Sequence, residues 1–298
     1  MLTGAIAYFV YTRIPALDST HEFVNRSVAI LQPTLLFAML FLTFCKVKPK
    51  ELRLSRWQGW LLLLQTLAFL LLVLLALYIP HAHWKIVVES AMLCMICPTA
   101  TAAAVATRKL GGNVGTLMTY TILINLAVAI LLPAMLPLVH NTPEHTFVSS
   151  FLRIVGRIFP LLLGPFFLSI LLRWWSPRIT EKLSTYRDLP FYLWAISLSM
   201  AIAVSVRSIV HSSLSWTYLL AIATVSLIAC IIQFYCGHKA GLRYNDTVSA
   251  TQACGQKNTV FIIWVGYTFM TPVTSIAGGF YSIWHNLYNS WQLKKVES

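Results

Sequence analysis

Apolar runs of about twenty residues, each long enough to cross the hydrocarbon core of a bilayer, recur along the chain and are separated by short polar segments. The first, Leu2–Tyr11, is short for a span and is read as tilted or partly interfacial. Further runs follow over Val28–Phe44, Trp57–Tyr78, from Ile86 onward, Val114–Leu136, Phe151–Leu172, Phe191–Ile209 and Tyr218–Tyr235, then within Ala250–Gly266 and over Thr274–Trp291. The segments between them alternate in charge. One set carries Lys46, Lys48, Lys50, Arg53 and Arg56, then Arg108 and Lys109, then Arg173, Arg178, Lys182 and Arg187, then GHKAGLRYND, and lastly Lys294 and Lys295. The other set holds Asp18, His21 and Glu22, the turn His81–Trp84, HNTPEHT with Glu144, and HSSLS. Basic loops stay in the cytoplasm, so the pattern predicts ten spans with both termini cytoplasmic. Arg153, Arg157 and Arg207, near outer span ends, are expected to snorkel.

Two of these runs are interrupted. The fourth meets Pro98 within CPTATAAAVATRKLGGN, and the ninth, ATQACGQKNTVFIIWVG, breaks at Gly255 and places Gln256, Lys257 and Asn258 in a row. A lysine at mid-bilayer costs at least about 2.5 kcal/mol, and non-helical backbone is tolerated there only where protein or a cavity surrounds it. The stretch is therefore read as a discontinuous helix carrying a binding site; the alternative is a loop between two spans with Lys257 in water. The fourth span of each set of five is the broken one. Five spans per half give the halves opposite orientation, so the expected architecture is an all-α polytopic membrane protein of two inverted five-helix repeats, with discontinuous helices four and nine crossing near the midplane. No residue-level repeat joins the halves.

Composition agrees. Of 298 residues, 58% are hydrophobic and 10% charged, with a mean hydropathy of +0.72, whereas a soluble domain has about a quarter charged. The net charge of +13 is concentrated in the short loops, so it is a topology signal and not a sign of nucleic-acid binding. Cys94 and Cys97 form a CxxC without a second pair or a nearby histidine, and are read as buried thiols with no metal. The apolar start lacks the basic segment and small-residue site of a cleavable signal. An integral protein of the cell (inner) membrane is expected.

CPTATAAAVATRKLGGNVG resembles the fourth-helix motif of the bile acid:sodium symporter family, GLRYNDTVSATQACGQKNT its ninth-helix region, and GGFYSIWHNLYNS its tenth-helix signature. Gln65 stands at the family's spacing before Pro98. The resemblance runs the length of the chain and implies a single transmembrane domain, with a panel (about 1–45 and 150–210) and a core (about 56–138 and 214–293) in which spans four and nine cross. It also implies alternating access and an organic-anion substrate such as a bile acid, another sulfated steroid, pantoate or a 2-keto acid. The departures are informative. Where sodium-coupled members have a serine, an asparagine and a glutamate as cation ligands, this chain has Ala103, Ala104 and Ala253. Methyl groups cannot replace the oxygens a hard cation needs. Gln65, Thr121 and Gln256 remain as residual oxygen ligands, and Lys257 occupies the glutamine position of the family's turn. Lys257 is accordingly read as a surrogate for the bound cation that also attracts the anion, helped by the helix N-termini after Pro98 and Asn258. Neither sodium nor another cofactor is expected, and a lysine whose partners change could exchange a proton.

The expected substrate contacts are Thr99, Thr101, Lys257, Asn258, Thr259, His285 and Asn286. Threonines beside a proline break can donate to substrate instead of to their own helix, whereas His285 would ordinarily be a packed core residue and only the shared motif raises it. Glu89 is read as facing outer water at a helix end, with a pair to Lys257 as the other option. Asp246 is read as the cap of helix nine. Trp57, Trp60, Trp84, Trp174, Trp175 and Trp291 are read as interfacial. Catalysis is not expected: no HExxH and no intramembrane aspartate is present, although Ser282 and His285 lie a turn apart. A membrane sensor or scaffold that keeps the fold without transport is the remaining alternative.

Overall fold

The computed structural model describes residues 2–47, 49–140, 146–186 and 189–297. Lys48, Glu144 and Arg187, three of the loop charges used above, lie outside these residues. The described residues form thirteen α-helices: α1 (Leu2–Thr12), α2 (His21–Cys45), α3 (Arg56–Tyr78), α4 (Ala82–Ile96), α5 (Ala103–Lys109), α6 (Val114–Val139), α7 (Phe147–Trp175), α8 (Pro177–Thr185), α9 (Leu189–Val210), α10 (Trp216–Arg243), α11 (Thr247–Gly255), α12 (Thr259–Phe269) and α13 (Ile276–Glu297). No strand occurs among them, only one isolated bridge. Six helices, α2, α3, α6, α7, α9 and α10, are long and apolar enough to cross a membrane. The chain is an all-helical polytopic membrane protein.

Local chemistry explains the helix ends. Asn113 starts α6 by accepting hydrogen bonds from the Gly115 and Thr116 amides at 2.9 and 3.2 Å, and the Gln58 side chain accepts from the Ser55 amide at 3.0 Å at the start of α3. Proline interrupts no long helix: Pro33, Pro133, Pro137, Pro160 and Pro165 all lie inside helices, which neighbouring helices in a membrane permit. Exposed leucines such as Leu67 and Leu71 on α3 are the lipid-facing side of such a bundle.

Helices α1, α2, α7 and α9 pack on one another, and α3, α4, α6, α10, α11 and α13 form a second group joined to the first mainly through α6 and α7. α10 and α11 lie backbone against backbone. A methyl group added at Gly237 would lie 2.6 Å from the Ala250 carbonyl oxygen, and one at Gly241 would lie 2.5 Å from the Thr247 Cα. These two glycines, one turn apart, let the backbones meet.

Several expectations are corrected. α2 begins at His21, well ahead of Val28, after a short 3₁₀ turn over Pro15–Thr20, so His21 and Glu22 belong to the helix and not to a loop. The basic segment that carries Arg173, Arg178 and Lys182 contains α8, which packs on α7 and α2. Trp57 is fully buried and donates from its indole nitrogen to the Asp246 carboxylate at 3.0 Å, so it is no interfacial residue. Asp246 stands at the start of α11 but makes no side-chain cap; its carboxylate accepts from Trp57 and from the Thr116 hydroxyl at 2.6 Å. Glu89 is buried and faces neither water nor Lys257; the His140 Nδ1 lies 3.8 Å from its carboxylate.

Candidate functional site

Pro98 has no amide hydrogen and pushes the residue before it out of helical geometry. Cys97 accordingly sits at φ −49°, ψ 139°, and α4 ends at Ile96. On the other side Gln256 (φ −86°, ψ 94°) is extended after α11, and Asn258 (φ −76°, ψ 82°) is the centre of a tight turn in which the Thr259 amide donates to the Lys257 carbonyl at 3.0 Å at the start of α12. The two extended segments pair with each other. The Ala100 amide donates to the Gln256 carbonyl at 2.8 Å and the Asn258 amide to the Pro98 carbonyl at 2.9 Å, which makes Thr99 and Lys257 an antiparallel pair. In such a pair the flanking residues carry the hydrogen bonds and the two side chains between them share one face. Backbone freed by both breaks is thus satisfied internally, as a membrane interior requires.

Side chains satisfy four of the carbonyls left open at the ends of α4 and α11. The Thr99 hydroxyl donates to Ala253 at 2.7 Å and the Tyr281 hydroxyl to Gly255 at 2.9 Å. The amide nitrogens of Gln65 and Gln233 donate to the carbonyls of Met95 and Cys94 at 3.3 and 3.1 Å. These side chains also bond one another: Gln65 donates to Gln233 at 2.6 Å, Gln233 donates to the Tyr281 hydroxyl at 3.0 Å, and Tyr120 donates to the Gln65 oxygen. Helices α3, α6, α10 and α13 therefore grip both breaks through one buried chain of hydrogen bonds.

Lys257 is completely buried, and its ammonium has no hydrogen-bond partner among the described residues. The thiols of Cys254, Cys97 and Cys94 lie around it. The Gln256 Oε1, His285 Nδ1, Gln252 Oε1 and Asn289 Nδ2 are likewise buried without a partner. Gln252 on α11 donates to Asn289 and Gln292 on α13 at 3.1 and 2.7 Å, so polar residues continue from the break along α13.

The model of the SBF-like CPA transporter family (DUF4137) matches residues 34–293, which takes in both breaks, Lys257 and the α13 motif. The chain belongs to that family. A search of curated proteins finds no significant match.

Within this SBF-like transporter the expected site residues fall into two groups. Thr99, Lys257, Asn258 and Thr259 are buried together on the paired segments or the first residue of α12, and Thr101 is half-buried in the same α4–α5 connection. Asn258 caps α12 by accepting from the Phe261 amide at 3.2 Å. His285 is buried one turn from Tyr281, ring edge to face with centroids 5.7 Å apart. Asn286 is half-buried and bonds back to the Ser282 carbonyl at 2.7 Å, and the Ser282 hydroxyl meets Asn286 and not His285. Of the residual oxygen positions, Gln65 accepts from Tyr120 and Thr121 donates back to Leu117 at 3.0 Å, whereas the Gln256 side-chain oxygen is uncommitted. Sequence reasoning passed over Tyr120, Gln233 and Tyr281. Gln233 carried a usable signal, being a lone amide inside the apolar run of α10, where a polar side chain has to find a partner.

Proposed function

We propose that this protein is a secondary transporter that moves a small or amphipathic organic anion, of bile acid, pantoate or keto-acid type, by alternating access and without sodium. The Lys257 ammonium takes the position of a bound cation and attracts the anion. The observation that carries the reading is a fully buried, unpartnered ammonium on the face of the pair that ties the two breaks together. An organism gains nothing in stability from such a group, because an unpaired buried charge is costly. Supporting it, three ligand positions of the sodium-coupled relatives are Ala103, Ala104 and Ala253 here, and of the residual oxygens that of Gln65 already accepts from Tyr120. Thr99, Thr101, Asn258, Thr259, His285 and Asn286 would line the anion's path.

In this reading the broken pairs α4/α5 and α11/α12 each count as one crossing. Ten crossings then form two inverted sets of five in the cell membrane with both termini in the cytoplasm, and the α1, α2, α7, α9 group is a panel against which the remaining core moves. The protein has no catalytic role. Uptake of labelled organic carboxylates and sulfonates into proteoliposomes, with sodium replaced by potassium, tests the proposal. Uptake should be unchanged by the replacement and lost in Lys257→Ala. A strict sodium requirement would defeat the surrogate role, and anion binding without flux would point to a sensor.

A further inference from the structure

Among the described aspartate, glutamate, lysine and arginine residues, two are buried: Lys257 and Glu89. The proposed transport uses the first and leaves the second without a role. Glu89 lies in the middle of α4, the first arm of one broken crossing, and the helix runs without interruption from it to Ile96. Seven steps of 1.5 Å put it about 10 Å along the helix from that end. A carboxyl group inside a membrane span is costly and calls for a function and a partner.

The partner is His140, the residue that follows α6. Its Nδ1 lies 3.8 Å from a Glu89 oxygen; the carboxylate side chain is 2% exposed and the imidazole 28%. A group sealed in protein is thus joined to one that reaches the surface. No other histidine, lysine or arginine nitrogen among the described residues comes within 4 Å of the carboxylate, that of Lys85 one turn earlier on α4 included. The helices packed on α4 are α3, α10, α12 and α13, and their titratable groups face elsewhere. Tyr78 and Tyr267 are exposed, and Tyr218 meets the rings of His83 and Trp84. Cys230, Tyr235 and Tyr288 line a groove between α10 and α13, while Tyr281 and His285 belong to the breaks. The basic groups stand in the first turn of α3 and the last two turns of α10 and α13.

We propose, resting on the transport reading above, that Glu89 carries the proton that accompanies the anion, with His140 as its contact with water. Transport is then symport of one proton with each monovalent anion. Charge balance supports this. Without ligand, the buried interior holds one ammonium and one carboxylate and is neutral. An organic anion bound at Lys257 leaves one negative charge in excess, and uncompensated charge in a medium poor in water is costly. A proton on Glu89 restores neutrality. It arrives as the imidazolium of His140: the ring N–H bond breaks as the carboxyl O–H forms, and water returns a proton to the ring. Closing 3.8 Å to hydrogen-bond distance takes about 1 Å of ring movement. Once the crossing faces the opposite side, departure of the anion is matched by departure of the proton.

The test uses the full chain in proteoliposomes containing potassium and no sodium, with labelled taurocholate and pantoate as probes and protein-free liposomes as the passive background. Counterflow, in which an anion exchanges with its own kind, needs no net proton movement and should occur in wild type. With the exterior one pH unit more acidic, wild type should accumulate the same anion about tenfold, to an extent unaffected by a potassium–valinomycin potential. Glu89→Gln should keep counterflow and lose the accumulation. Glu89→Leu, which suits apolar surroundings if the amide prevents folding, should behave alike. Counterflow without gradient-driven accumulation in wild type, or accumulation that follows the potential, would overturn the proposal. So would a folded Glu89→Gln without counterflow. Accumulation that persists in Glu89→Gln would assign the proton to another group and overturn it too. All four results leave the proposed transport standing, whereas absence of counterflow for both probes would defeat that reading and the proton site with it.

Discussion

Lys257 holds an ammonium in a site with no hydrogen-bond partner, and that arrangement has a measurable cost in the protein without ligand. Replacing it by methionine keeps the length of the side chain and removes the charge. Lys257→Met should therefore stabilise the ligand-free protein, on the order of a few kcal/mol, while erasing any stabilisation by organic anions. A thermal melt of purified protein with and without carboxylates reads both effects, and a lower melting temperature for the ligand-free variant would refute the first. Asp246 shows the opposite balance. Its carboxylate accepts from the buried indole of Trp57 and from Thr116, so Asp246→Ala should cost about 2–4 kcal/mol, and Asp246→Asn, which keeps an acceptor, markedly less in the same melt. Sequence reading erred at Asp246, Trp57 and Glu89 for one reason. Local sequence gives the position of a residue along or beside a helix but not the neighbour that its side chain meets, and all three turn toward other helices.

At the scale of elements, the breaks were readable because each has a local cause: Pro98 in one run, and Gly255 followed by three polar residues in the other. What holds them was not readable, because Gln65, Tyr120, Gln233 and Tyr281 come from four helices far apart in sequence. Gln233 is the centre of that chain, bonded to Gln65, Tyr281 and the Cys94 carbonyl. Gln233→Leu leaves several buried groups unsatisfied at about 1–3 kcal/mol each, and should lower thermal stability far more than Leu220→Ala on the exposed face of the same helix. Equal losses for the two would show that the chain contributes nothing to holding the breaks. The start of α2 and the whole of α8 escaped detection because their polar residues read as loop, and only packing against neighbours makes them helical.

For the whole molecule, the proposed alternating access would have the α1, α2, α7, α9 group move against the rest. α9 and α13 touch across that division: a Cβ built on Gly279 would lie 3.1 Å from the Ser205 Cβ, close to the separation of about 3.5–4.5 Å found in disulfides. Oxidation of Ser205→Cys/Gly279→Cys should form a cross-link, stop anion flux in proteoliposomes and leave anion binding intact, with thiol reductant restoring transport. Undiminished flux through a fully cross-linked population would rule out relative motion of the two groups at this contact.

Side chains alternate along an extended backbone, so the direction in which the Lys257 nitrogen points is set by counting residues from the hydrogen bonds of Ala100 and Asn258. The gene can therefore change many letters in these two segments and keep the charge aimed inward, but it cannot gain or lose a single codon between Gly255 and Asn258 without reversing it. Length, more than spelling, is what heredity must guard at this spot.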